Sequence, residues 1–221
     1  MAARYDAVLL DAYGTLVELD DPFERLRESV RRHIGADVAL EDAERAFRAE
    51  MAHYAGNCQT GADAASLAAL RSDCAAIILA ELGLEAEPSA AERMLSDAVV
   101  FRLLPDVEPL LAGLVEAGVP AAVVSNWDWS LRRTLAALGL ECEAIVTCGE
   151  TGVRKPDPRI FLEALGRLGV APKRALHIGD SADTDAAGAE AAGIDVRIVD
   201  RTGESGGRDT IASLTEVLEL L

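Results

Sequence analysis

The sequence predicts an α/β protein: a three-layer core built on a parallel sheet, with an all-helical block inserted after the first strand. Three observations carry that prediction. A short apolar run, Ala7–Leu10, delivers one carboxylate, Asp11, into a turn built on Gly14 and Thr15, as a buried parallel strand does when helices cover both of its faces. Residues 17 to 100 then carry only helical spacing of apolar positions. From Pro105 onward, short apolar runs alternate with helix-length segments, the rhythm of βαβ units whose right-handed crossovers place helices on both faces of one sheet.

The elements follow in order. Phe23, Leu26, Val30 and Ile34 recur at three- and four-residue steps, as do Phe47, Met51 and Tyr54, which predicts two amphipathic helices. Residues 57 to 62 read as a loop, residues 67 to 82 as a helix stopped by Gly83, and Pro88 opens the last helix of the block. Then come helix Val107–Ala117, strand 121 to 124, strand Ala144–Thr147, helix Pro158–Leu168 and strand 175 to 178. A helix over 186 to 192 ended by Gly193, a strand over 196 to 199 and a final helix over 211 to 221 complete the chain, with Gly188 and Gly193 letting their helix approach the sheet. Residues 1–16 and 101–221 would thus form one discontinuous core, and residues 17–100 a helical cap over it.

Composition narrows the function. The chain has 221 residues, enough for one sizeable domain or a core with an inserted subdomain. Half are hydrophobic and only 4% aromatic, which favours a helical or α/β interior over a β-sandwich. A net charge of −17 excludes nucleic acid and anionic membrane as partners, since both need a basic surface. An anionic small-molecule substrate remains possible through local positive groups or a metal. No apolar stretch approaches the ~20 residues of a membrane span, and no basic stretch leads into a hydrophobic one at the start, so a cytoplasmic monomer or homodimer is expected. Cys58, Cys74, Cys142 and Cys148 contain no C-x-x-C pair, which reads as reduced buried thiols without zinc.

The chemistry-bearing residues stand where the strands end. A carboxylate there, such as Asp11, is costly unless a positive group meets it, and ligands of open α/β sheets bind at that edge; the alternative is an Asp that caps a turn. Ser125-Asn126 ends the next strand with a hydroxyl and an amide that can donate to an oxyanion or simply begin a turn. In Gly152-Val153-Arg154-Lys155-Pro156-Asp157-Pro158 the prolines stiffen a helix entry, so the Lys155 ammonium can be aimed at Asp11 and an anionic substrate, unless it is a surface Lys. His177-Ile178-Gly179-Asp180-Ser181-Ala182-Asp183-Thr184-Asp185 brings three carboxylates within six residues. Such crowding raises carboxylate pKa values unless a cation compensates, and Mg²⁺ with oxygen ligands suits it; a solvated acidic turn is the competing reading, stronger for Asp183 than for Asp180.

Together these segments resemble the haloacid dehalogenase (HAD) superfamily, in the branch whose Rossmann-like core carries a helical cap after its first strand. The resemblance implies that Asp11 attacks the substrate to form an aspartyl intermediate, while Thr15 and Ser125, with Asn126 beside it, orient substrate and nucleophile. It implies that Lys155 neutralises charge at the nucleophile, and that Mg²⁺ is held by Asp11, the backbone carbonyl of Tyr13 and Asp180, with Asp185 a further acidic position at the metal site. Tyr13, Ser125, Asn126 and Lys155 would then face the substrate.

Motif one and the last motif point to different chemistries. Phosphatases of this kind carry a second Asp where Tyr13 stands, and a phenol with a pKa of ~10 is a poor proton donor and base near neutrality. Asp-Ala-Tyr-Gly-Thr is similar to the L-2-haloacid dehalogenases, whose halide leaves without a proton. Those enzymes, however, work without metal, look like Ser-Ser-Asn where this chain has Asp180-Ser181-Ala182, and carry a Tyr where this chain has Phe161. The preferred expectation is therefore a Mg²⁺-dependent phosphatase of a small phosphorylated metabolite, slow on poor leaving groups. The alternatives are a metal-independent 2-haloacid dehalogenase and a catalytically weak binding module. Asp128, in the run Asn126-Trp127-Asp128-Trp129, is a candidate for the missing base. The tryptophans more naturally pack, and Arg25, Arg27, Arg31, Arg32, Arg45 and Arg48 more naturally line solvated helix faces than read an anion.

Overall fold

Four consecutive apolar residues with no polar alternation suit only a strand with both faces covered, and the first of them lies at the centre of the sheet. In the computed structural model, which describes residues 4–203 and 209–221, β1 (Ala7–Leu10) is buried along its whole length and pairs in parallel on both edges. Residues 1–3 and 204–208, included in the core ranges expected above, lie outside the described residues.

The chain next forms β2 (Val17–Leu19), then α1 (Pro22–His33), α2 (Leu40–Asn57), a tight turn at Cys58–Thr60, α3 (Ala64–Leu82) and α4 (Pro88–Ala98). Strand β3 (Phe101–Leu103) returns antiparallel to β2, Val17 opposite Leu103 and Leu19 opposite Phe101. The block expected to be all-helical therefore includes a strand: β2 and β3 form a two-stranded ribbon at its base. Its register places Glu18 opposite Arg102, and the two side chains form an ion pair at 2.5 Å. Asp63 caps α3 through the Ser66 amide at 2.8 Å, and Gly83 ends the helix in a left-handed conformation that favours Gly.

The remainder alternates as expected: α5 (Val107–Ala117), β4 (Ala121–Ser125), α6 (Leu131–Ala137), β5 (Ala144–Thr147), α7 (Cys148–Thr151), α8 (Pro158–Leu168), β6 (Ala175–Gly179), α9 (Ala187–Ala191), β7 (Asp195–Val199) and β8 (Thr210–Ile211). The sheet order is β5-β4-β1-β6-β7-β8, all parallel. Two elements depart from the sequence reading. The helix expected from residue 186 is preceded by a widened turn at Ala182–Ala186, whose amides are tied to Ser181. The final helix expected over 211–221 begins as strand β8 and continues as a tight helical turn, Leu214–Leu220, because Ser213 and Glu216 form a reciprocal cap that starts the helix there.

Side chains alternate across the sheet. Val8, Leu10, Val123 and Ile178 enter the cluster under α5 and the C-terminal turn, while Leu9, Ala122, Val124 and Val146 enter the one under α8. A third cluster, Leu26 to Ala98, belongs to α1–α4. Tyr54 packs against both this cluster and that under α8, so the block rests on the sheet layer. No helix among the described residues is long and apolar enough to cross a membrane.

Candidate active site

β1 has β4 on one side and β6 on the other, so the chain leaves it in opposite directions and a crevice opens at the carboxyl ends of these strands. Asp11 follows β1, its amide still bonded to the Ile178 carbonyl at 2.9 Å. Ser125 is the last residue of β4, Asp180 follows β6, and Lys155 enters from the loop before α8. One edge thus gathers side chains that are far apart in sequence.

Lys155 organises them. Its ammonium, almost wholly buried, lies 2.5 Å from Asp11 Oδ1 and 2.7 Å from Asp185 Oδ1. Asn126 does not point its amide freely at a ligand: Oδ1 accepts from the Lys155 amide at 2.8 Å, and Nδ2 donates to the Lys155 carbonyl at 3.1 Å. The side chain read from sequence as an oxyanion donor therefore fixes the loop that aims the ammonium.

Asp11, Asp180 and Asp185 each offer a carboxylate oxygen, all within 4.8 Å of one another. Burial pushes the Asp11 carboxyl up and Asp185 adds to the rise, while Lys155 pulls it down. Burial would also raise Asp185, but the His177 hydrogen bond and the Lys155 ammonium hold it well below the usual carboxylate range. Asp180, whose side chain reaches solvent, is pushed up to about 6 by partial desolvation first, then by Asp11 and Asp185. It is the carboxylate left short of positive charge.

Two glycines make this crowding possible. Gly14 has φ +81°, and a Cβ there would collide with the Asp180 carboxylate; a Cβ on Gly179 would collide with Asp185. Thr15 is fully buried, and its hydroxyl has no hydrogen-bond partner among the described residues. Tyr13 is 39% exposed, and burial, Asp180 and Glu18 raise its phenol above the ordinary value of 10.0. A cavity of about 300 Å³ opens beside Asp180, with Gly14, Glu18, Asp200 and Arg201 in its wall.

A family model for haloacid dehalogenase-like hydrolases matches residues 5–193. The chain belongs to this family of hydrolases. It is 33% identical over 211 residues to mouse haloacid dehalogenase-like hydrolase domain-containing protein 3, covering 88% of this chain and 82% of that one. It is 31% identical to the glyceraldehyde 3-phosphate phosphatase of Methanopyrus kandleri, covering 87% and 83%. The crystal structure of L-2-haloacid dehalogenase from Xanthobacter autotrophicus superposes with a TM-score of 0.73 at 22% identity, covering 98% of each chain, a likeness of fold.

Some residues of this hydrolase carry more of the site than their sequence context suggested. His177, fully buried in β6, places Nε2 2.8 Å from Asp185 Oδ1 and stacks edge-on against Phe161 at 4.9 Å. The available signal was a polar residue in an otherwise apolar strand, which needs a partner. Arg201, beyond β7, donates to the Gly14 and Thr15 carbonyls, both at 3.0 Å, and pairs with Asp106 at 2.8 Å. No sequence motif marks it. Asp128 is buried and each of its oxygens accepts a hydrogen bond, from the Tyr54 hydroxyl at 2.8 Å and the Ser130 amide at 2.7 Å, so it joins the helical block to the sheet layer. Trp127 packs against Phe101, and Arg25, Arg27, Arg32, Arg45 and Arg48 pair with acids of their own or neighbouring helices and loops.

Proposed function

We propose that this hydrolase is a Mg²⁺-dependent phosphatase that acts on a small phosphorylated metabolite through an aspartyl intermediate at Asp11. The observation that carries the reading is Asp180: a third carboxylate brought against Asp11 and Asp185, with one ammonium to balance them. A dehalogenase attacking a neutral carbon gains nothing from that surplus negative charge, whereas a cation offsets it. The oxygen donor set suits a hard divalent ion, with Asp11, Asp180 and the Tyr13 carbonyl as its ligands. Mg²⁺ bound there would shield the phosphoryl oxygens from the attacking carboxylate. Asp185 fits a holding role better than a ligand role, since Oδ1 takes Lys155 and His177 and Oδ2 takes the Ser181 amide at 3.2 Å.

The protein's own groups then divide the work. Lys155 keeps Asp11 ionised against the cost of burial and offers positive charge to the incoming anion. The Thr15 and Ser125 hydroxyls orient substrate and nucleophile. An Asp11 oxygen attacks phosphorus, the P–O bond to the leaving group breaks, and water later cleaves the acyl phosphate. The helical block acts as a cap that excludes water from the first step. Tyr13 holds its proton too tightly to serve as base and is a weak acid, so leaving groups that depart unprotonated are favoured. The Methanopyrus relative, a glyceraldehyde 3-phosphate phosphatase, agrees with this substrate class.

Tyr13 also favours a second reading, the metal-independent 2-haloacid dehalogenase. A panel of phosphoesters and 2-chloropropionate, each assayed with Mg²⁺ and with chelator, separates the two. Phosphate release that chelator abolishes is expected. Halide release indifferent to chelator, with no phosphate, overturns the proposal.

A further inference from the structure

We infer that Cys58 and Cys148 form a reversible oxidation site, with a hydroperoxide as oxidant, whose disulfide pins the helical block to the sheet layer. The two residues stand on opposite sides of the junction, 90 positions apart in the chain. Cys58 begins the tight turn after α2, Cys148 begins α7 at the end of β5, and their sulfurs lie 3.3 Å apart. Both are fully buried. A disulfide requires about 2.05 Å, so the sulfurs need to close by only about an ångström.

The surrounding contacts hold the pair in register. Trp129 donates its amide to Gly61 at 2.9 Å, and Arg154 reaches across to the Ala55 carbonyl at 2.8 Å and to Gln59 at 3.4 Å. The Arg154 guanidinium favours the thiolate of either sulfur against the cost of burial, and at this separation whichever sulfur is oxidised first is resolved by its neighbour.

One thiolate of the pair attacks one peroxide oxygen and the O–O bond breaks. The departing alkoxide, or hydroxide from hydrogen peroxide, takes up the proton that this thiol released. The neighbouring thiol then attacks the sulfenic acid at sulfur, the S–O bond breaks, and hydroxide leaves with that second thiol's proton as water. Two thiols lose two electrons in total, and the peroxide gains them. The resulting bond would tether the 56–61 loop to the segment that leads into Lys155.

The test uses the intact protein treated with hydrogen peroxide and digested without reduction. The expected product is a Cys58–Cys148 cross-linked peptide, lighter by two hydrogens and released by dithiothreitol, and it is absent from Cys58→Ser and from Cys148→Ser. Amide hydrogen exchange over residues 54–62 and 148–154 is expected to slow on oxidation and recover on reduction. A bond through Cys74 or Cys142, oxygen addition without a bond, no reaction, or exchange unchanged by the bond overturns the inference. None of these readouts uses catalysis, so the result stands apart from the phosphatase proposal.

Discussion

Tyr13 and Asp180 are the residues on which the chemistry turns. If the phenol cannot deliver a proton, turnover must depend on how well the leaving group carries negative charge. Aryl phosphates should then outpace alkyl phosphates strongly. Tyr13→Asp supplies the missing carboxyl two residues beyond the nucleophile, and general acid catalysis of this kind contributes on the order of 10² to 10⁴-fold. The expected outcome is a gain in kcat on alkyl phosphates with little change on aryl ones, read from a leaving-group series. A uniform loss across the series would show that Tyr13 does something the acid cannot. Asp180 makes a second prediction, with a definite sign. Its carboxyl, raised from 3.8 to about 6, binds its proton more tightly in the folded protein. Metal-free stability therefore falls as pH rises from about 4 to about 6, where the unfolded chain has already lost that proton. Mg²⁺ needs the ionised form, so its affinity should weaken as pH drops below about 6, and the rise in Tm on adding Mg²⁺ should shrink with it. Thermal melts with and without Mg²⁺ across that range check both trends, and a pH-independent Mg²⁺ increment would sink them. Asp11 and Asp180 are legible from sequence because each follows an apolar strand, and Lys155 because prolines stiffen its loop, where charge has few innocent uses; Asp185, inside the turn after β6, is marked only by the acidic run it closes and by the family resemblance. His177 was not, since its significance is its contact with Asp185 across a strand and a turn.

At the scale of elements, the turn after β1 is held from outside by a side chain that no motif announces. Arg201 joins the Gly14 and Thr15 carbonyls to Asp106, which in turn accepts from the Leu214 amide at 2.9 Å. Arg has the planar array of donors to satisfy two carbonyls and a carboxylate at once, and Lys does not. That turn carries the Tyr13 carbonyl proposed as a Mg²⁺ ligand, and losing a group that orients metal ligands typically costs 10 to 100-fold in metal affinity or activity. Arg201→Ala and Arg201→Lys should therefore both weaken Mg²⁺ binding by about tenfold or more, measured by titration, with unfolding still cooperative. Equal Mg²⁺ affinity in all three proteins would make the contact structural only. Element legibility follows the same physics. Strands β1, β4, β5 and β6 announce themselves by apolar runs with no competing periodicity. The β2–β3 ribbon is three residues a side with mixed burial, so nothing in its pattern separates it from the helices it adjoins. The spacing of the final segment suits a helix, but its first residue, Ile211, joins Thr210 to complete the sheet edge through β7 pairing, a tertiary contact that local spacing cannot encode.

At the scale of the whole molecule, the formal charge of −17 works against the proposed substrate. A phosphoester dianion approaches through a repulsive field, which only close to Asp11 would be offset, by Lys155 and the proposed cation. Salt screens the long-range field over a Debye length of about 10 Å at 0.1 M ionic strength, while the buried ion pairs of the site are screened far less. With Mg²⁺ saturating, kcat/KM for a dianionic phosphoester should therefore rise as ionic strength increases from low to physiological, while kcat, read with substrate bound, stays nearly flat. A monoanionic substrate should show a shallower rise and a neutral one none. The decisive measurement is the slope of kcat/KM against ionic strength for substrates differing only in charge. A slope that falls with salt for the dianion would mean that a basic entrance outweighs the global charge. That result would direct attention back to the arginines of the helical block, whose pairing with neighbouring acids argues at present for solvated faces.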